Sequence, residues 1–191
     1  MAGGYNPHLH HRHSTRLAGY DYRRDGAYFI TVCAFRRRCV FGRVDDGVMR
    51  LNQYGQIVYD EWLRSAAVRP HIVLDVFQVM PNHFYAIVFI MRGEPSERTP
   101  EERTHSGASL RRTPRSLSSL MGQFKAEVTK RINARRAMIH NASPAHAWQP
   151  RFYDRIIRDE KELGDTRRYI LENPFRWADD ENHPQYTPVS M

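Results

Sequence analysis

Cysteine is scarce in this chain, with Cys33 and Cys39 the only two among 191 residues. They form no CxxC pair and no zinc-ligand spacing, and two thiols build no disulfide framework, which argues against a disulfide-stapled or zinc-stabilised scaffold. Long apolar runs are missing as well. Nothing approaches the roughly 18 consecutive apolar residues that a bilayer span needs, and the polar, His-rich start carries no secretory pattern. A reducing cytoplasm is the expectation. Acidic residues are in deficit, 21 against 29 Lys and Arg, for a formal net charge of +8. A pI near 9.8 favours a polyanionic partner, nucleic acid first and an anionic membrane surface a distant second. What the chain does have is 41% hydrophobic and 12% aromatic residues, enough to build one well-packed domain.

Residues 1–24 are rich in His, Arg, Gly and Tyr without apolar period, and read as a basic, flexible arm. Its histidines His8, His10, His11 and His13 have the composition of a metal-binding tract, but read first as a solvated tail. Residues 25–191 read as a single domain. Ala27 to Ala34 is predicted as a strand, and Cys39 to Val44 as a second, short one. Asn52 is placed to cap a helix running to about Val68. Val73 to Met80 is the next strand, and Pro81-Asn82 leaves room only for a hairpin turn before an antiparallel strand over His83 to Met91. Residues 92–115 contain almost nothing apolar and read as a mobile loop. Ser116 caps an amphipathic helix to about Arg136, with Leu117, Leu120, Phe124, Val128 and Ile132 as its apolar stripe. A short strand over Phe152 to Arg158 and a last helix over Glu160 to Glu172, stopped by Pro174, complete the chain. The order β-α-β-β-α-β plus a C-terminal helix predicts an α+β, ferredoxin-like core with an antiparallel sheet.

Two segments carry chemistry. In Met80-Pro81-Asn82-His83-Phe84-Tyr85, side chains alternate across a strand, so His83 and Tyr85 share one face and Phe84 takes the other. In Tyr169-Ile170-Leu171-Glu172-Asn173-Pro174, Tyr169 and Asn173 lie four apart on one helix face. If that face packs over the strand, a phenol, an amide oxygen and an imidazole converge. Such a set suits phosphodiester transesterification, with tyrosine as nucleophile and a divalent cation on neutral N and O ligands polarising the phosphate. The pattern alone leaves Tyr169 open as either a core aromatic or a nucleophile.

The chain resembles the single-tyrosine HUH transposases, in the branch of the REP-associated tyrosine transposases. The resemblance runs from Arg16 to Pro184 through Leu17–Tyr22 (LAGYDY), Gly26–Cys33 (GAYFITVC), Met80–His83 (MPNH), Phe124–Asn133 (FKAEVTKRIN), Trp148-Gln149, Phe152–Asp154 and Tyr169–Pro174 (YILENP). It implies a metal-dependent endonuclease and strand transferase acting on single-stranded DNA at imperfect hairpins. The helix tyrosine, here Tyr169, would form a 5′-phosphotyrosine link and free a 3′-OH, and the reverse step would rejoin DNA without ATP. Mg²⁺ or Mn²⁺ would sit on two histidines flanking an apolar residue and on a polar residue one turn after the tyrosine, positions that here are His83, Tyr85 and Asn173. Tyr85 departs from the pattern, because a neutral phenol is a much poorer ligand than imidazole. Water, or a carboxylate such as Asp75, is a candidate to fill the gap, with no sequence signal that selects either.

That departure raises a second reading, a catalytically degenerate protein that binds DNA hairpins. An RNA-binding module on the same fold is a third, without the usual aromatic sheet motif of such modules. Tyr153 is the competing nucleophile. Arg36, Arg37, Arg38, Lys125, Lys130, Arg131, Arg135 and Arg136 are the candidate phosphate contacts, and Trp148, Phe152 and Trp177 the candidate stacking platforms for unpaired bases. A monomer or a homodimer is expected.

Overall fold

The computed structural model describes residues 25–91, 116–140 and 143–184. The predicted arm at 1–24, its histidines, and the predicted loop at 92–115 lie outside the described residues. In chain order the elements are β1 (Gly26–Cys33), a short 3₁₀ turn (Phe35–Arg37), β2 (Gly42–Asp45), β3 (Val48–Leu51), α1 (Gln53–Ala67), β4 (Ile72–Val79), β5 (His83–Ile90), α2 (Leu117–His140), β6 (Tyr153–Ile157) and α3 (Glu160–Glu172). A second 3₁₀ turn, Trp177–Asp179, follows α3.

Four strands form one sheet in the order β4-β5-β1-β6. Every neighbouring pair in it is antiparallel. This is the ferredoxin-like arrangement expected from the element order. Both faces of the sheet are covered. Tyr28, Ile30, Val32, Phe84, Ala86 and Val88 belong to the core under α1 and α2, which also takes Trp62, Leu120, Phe124 and Val128. Ala27, Tyr85 and Ile87 belong to a smaller core that holds Leu163 and Ile170 of α3. Double coverage explains why β5 reads as an almost unbroken apolar run: seven of its eight residues are buried.

The predicted caps form. Asn52 Oδ1 accepts from the backbone N–H groups of Tyr54 (2.8 Å) and Gly55 (3.0 Å) at the start of α1. Ser116 Oγ accepts from Ser119 N at 3.3 Å ahead of α2. Two boundaries differ from expectation. The strand predicted over Cys39 to Val44 is instead one arm of a β2–β3 hairpin. Its turn is Asp46-Gly47, with φ of 50° and 72°, the left-handed pair of a type I′ hairpin. A Cβ on Gly47 would also lie 2.5 Å from Phe175 Cδ1, so any other residue here would have to displace that exposed ring. Second, α2 continues to His140, because Ala137 to His140 contains no proline or glycine to end it.

Candidate functional site

The β4–β5 turn brings the chemistry-bearing strand to the mouth of the sheet. Met80 N donates to His83 O at 2.8 Å, closing the hairpin around Pro81-Asn82. Asn82 is fully buried and donates through Nδ2 to two carbonyls, Asn182 O at 2.7 Å and Arg37 O at 3.1 Å. Those donations fix which end of its amide is oxygen. Asn82 Oδ1 lies 2.9 Å from His83 Nδ1 and can only accept, so Nδ1 carries the proton and Nε2 presents its lone pair. Nε2 is buried and has no hydrogen-bond partner.

The last helix supplies the second half of the site. Asp159 caps it, accepting from Glu162 N at 2.7 Å. Leu163, Thr166 and Ile170 are its buried stripe. Asn173, three residues after Ile170, extends that stripe and is buried, whereas Tyr169 sits at its edge and is 41% exposed. The nucleophile candidate is therefore reachable and the amide enclosed.

Tyr85 is the hub. Its hydroxyl lies 2.9 Å from the Tyr169 hydroxyl, accepts from Asn182 Nδ2 at 3.0 Å and donates to Asp180 Oδ2 at 3.3 Å. Asp180 Oδ2 also accepts from Asn173 Nδ2 at 2.6 Å, and Asp180 Oδ1 accepts from Asn182 N at 2.6 Å. Asn173 thus spends its amide nitrogen on the carboxylate, and its buried Oδ1 has no hydrogen-bond partner. The ring of Tyr85 packs edge-on against His83 at 4.3 Å and stacks on Phe29 at 5.5 Å. Tyr169, Asn173, Arg176, Asp179, Asp180 and Glu181 line a cleft of about 410 Å³ beside this network.

Burial controls the protonation of these groups. It drives the Tyr85 phenol far above its ordinary range, with the Tyr169 hydrogen bond and the Asp180 charge adding to it, so Tyr85 remains a neutral donor. Burial also raises Tyr169, with Asp180 and Glu181 adding and the hydrogen bond shared with Tyr85 opposing. His83 is lowered from 6.5 to about 4, mainly by burial; Asp180 opposes the shift and Arg37 assists it. Between these two values the unfolded chain binds a proton that the folded chain refuses, so stability present above pH 6.5 is lost as pH falls toward 4. The loss is about 3 kcal/mol. Urea midpoints at pH 7 and pH 4.5 should fall more steeply for the natural protein than for His83→Gln; equal slopes would refute this account of His83.

The other predicted residues are scattered. Trp148 is buried and packs against Phe41 at 4.8 Å, as a core side chain. Lys125 Nζ caps the carbonyls of Gln149, Pro150 and Arg151. Arg131 pairs with the buried Glu61, and Arg135 bonds Gln53 at 2.9 Å, so both tie α2 to α1. Arg37 donates to Glu181 O at 3.2 Å and thus braces the segment over the site, while Arg36 and Arg38 are exposed. Tyr153 is 48% exposed on the edge strand β6. Asp75 is ion-paired with Arg167 at 2.8 Å. Among the described residues, no three His, Cys, Asp or Glu side chains gather as a metal cluster. The sequence reading missed Asp180 and Asn182. Their signal was only an acidic run, Asp179-Asp180-Glu181, in a basic chain, which is equally the mark of a solvated surface.

No family model matches the chain. An uncharacterized protein of Haemophilus influenzae is 34% identical over 182 residues, covering 95% of this chain and 98% of that one. The chain belongs to that protein's family. Its fold is similar to that of a REP-associated tyrosine transposase solved bound to a REP hairpin. The TM-score is 0.56 with 19% identity, over 85% of this chain and 74% of the other. Membership and fold thus rest on separate comparisons, one of sequence and one of structure. Among the described residues, no helix is long and apolar enough to cross a membrane.

Proposed function

We propose that this protein is a transposase-like enzyme that nicks and rejoins single-stranded DNA at hairpins. The observation that carries the reading is the half-exposed Tyr169 hydroxyl bound to Tyr85, on a helix whose next turn holds Asn173, over a strand that begins with His83. The fold shared with a hairpin-bound tyrosine transposase supports the choice of DNA.

Tyr169 Oη attacks the phosphorus at the nick site. An Oη–P bond forms as Tyr169 gives up its phenolic proton, the P–O3′ bond breaks, and the departing 3′ oxygen takes up a proton in its place, which leaves a 5′-phosphotyrosine and a 3′-OH. The reverse attack by a 3′-OH restores the backbone. Tyr85 positions the attacking oxygen, and the ring of Phe29, edge-on to Tyr169 at 6.1 Å, limits its swing.

His83 Nε2 and Asn173 Oδ1 fit a divalent cation, Mg²⁺ or Mn²⁺. Both are buried lone-pair atoms left without a donor, and an unmatched buried acceptor costs about 1–3 kcal/mol. When bound, the cation would polarise the phosphate and favour the phenolate.

The test is incubation of the protein with single-stranded hairpin DNA and Mn²⁺, followed by denaturing electrophoresis. A covalent protein–DNA adduct is the expected result. Hairpin binding with no adduct would overturn the enzymatic reading in favour of a DNA-hairpin-binding protein, the alternative that Tyr85 raises.

A further inference from the structure

Asp180 is a buried carboxylate held between Tyr85 and Asn173. It is 6% exposed, and the groups donating to it (Tyr85 Oη, Asn173 Nδ2 and Asn182 N) are all neutral. Four sites on a carboxylate can accept, and these bonds occupy three. Tyr85 joins Asp180 to His83, with its hydroxyl 3.3 Å from Asp180 Oδ2 and its ring 4.3 Å from the imidazole, whose Nε2 is unpartnered; Asp180 Oδ2 also holds Asn173, whose Oδ1 is unpartnered. The three side chains are 0%, 2% and 6% exposed for His83, Asn173 and Asp180. The adjoining cleft sets Asp179, Asp180 and Glu181 against the single guanidinium of Arg176, which is itself paired with Glu172 at 2.9 Å. A DNA phosphate entering such a cleft meets net negative charge. A bound divalent cation reverses that sign, as bound ions commonly do in phosphate sites.

We propose that Asp180 is the third, charged ligand of a divalent-cation site completed by His83 Nε2 and Asn173 Oδ1. It takes the place that Tyr85 leaves where a second histidine is expected, and it rests on the metal-dependent reading above. Tyr85 then has a different task. Its phenol, held neutral, donates to the carboxylate and touches the nucleophile, so it aligns ligand and tyrosine together. An aspartate with one imidazole and one amide oxygen is also a harder donor set than two imidazoles, which favours Mg²⁺ or Mn²⁺ over softer ions.

Titration calorimetry of the full chain with Mn²⁺ at constant pH tests this directly, without DNA. The natural protein should bind one Mn²⁺. Asp180→Asn should weaken that binding at least about tenfold, and Tyr85→Phe by less than Asp180→Asn does. Circular dichroism confirms that each variant is folded, and Asp180→Ala substitutes if the asparagine variant is not. A rise in Tm with added Mn²⁺, present in the natural protein and absent in the Asp180 variant, is the second readout. If His83→Gln abolishes Mn²⁺ binding while Asp180→Asn leaves it unchanged, this assignment is overturned and the metal-dependent reading stands. If the natural protein binds no Mn²⁺ at millimolar concentration, the metal-dependent reading fails and takes this one with it.

Discussion

Tyr169→Phe is expected to reduce covalent adduct on hairpin DNA to background while leaving the fold intact and hairpin affinity within a few-fold. The substitution removes one oxygen and keeps the ring, so the edge contacts to Phe29 at 6.1 Å and Tyr85 at 5.4 Å survive. The lost hydroxyl has Tyr85 as its partner, and Tyr85 keeps Asn182 and Asp180, so no buried group is orphaned. The stability cost of one partly exposed hydrogen bond is about 1 kcal/mol. Chemistry has no such fallback, because the ring offers no other atom able to form a bond to phosphorus. The same gel that detects the adduct checks the prediction. Adduct persisting in Tyr169→Phe would move the nucleophile elsewhere, with Tyr153 on β6 the next residue to replace.

Phe84→Ala carries the largest expected loss of stability. Phe84 is fully buried, and its ring packs on Trp62 at 5.0 Å, Phe124 at 5.3 Å and Phe77 at 6.0 Å. One side chain thereby joins β5 to α1, α2 and β4. Truncating a ring in such a setting costs about 3–5 kcal/mol from lost transfer and the cavity left behind. For a chain of this size that corresponds to roughly 6–20 °C in Tm. Thermal melting reads it out, and a fall of under about 3 °C would mean that the cluster repacks. Because residues alternate along β5, the damage lies on the face opposite His83 and Tyr85. Any change in adduct formation by folded Phe84→Ala protein would therefore measure how far the site depends on a rigid sheet.

The pattern of residues was enough for much of the architecture. Periodicity, caps and breakers marked α1, α2 and α3 to within a turn, and the Pro81-Asn82 turn determined that β4 and β5 pair as a hairpin. The β2–β3 hairpin was legible too, in Asp46-Gly47 with its two left-handed residues, but its signal was passed over in favour of one short strand. Strand alternation put His83 with Tyr85, and helical spacing put Tyr169 with Asn173, because both relations depend only on local geometry. Whether those two pairs meet depends on which face of the sheet α3 covers. Trp148 shows the same limit, since an aromatic suited to stacking on a base is equally suited to a core, and packing against Phe41 decided between them. The basic residues of α2 looked alike along the chain, yet the fold spends Lys125 on three carbonyls and Arg131 on Glu61. In sequence Asp75 was a lone carboxylate within a strand and Asp180 one member of an acidic run. Only the tertiary structure turned Asp75 to Arg167 and enclosed Asp180 between Tyr85 and Asn173, because burial and hydrogen-bond partners across a sequence separation of 95 residues are properties of packing and leave no periodic trace.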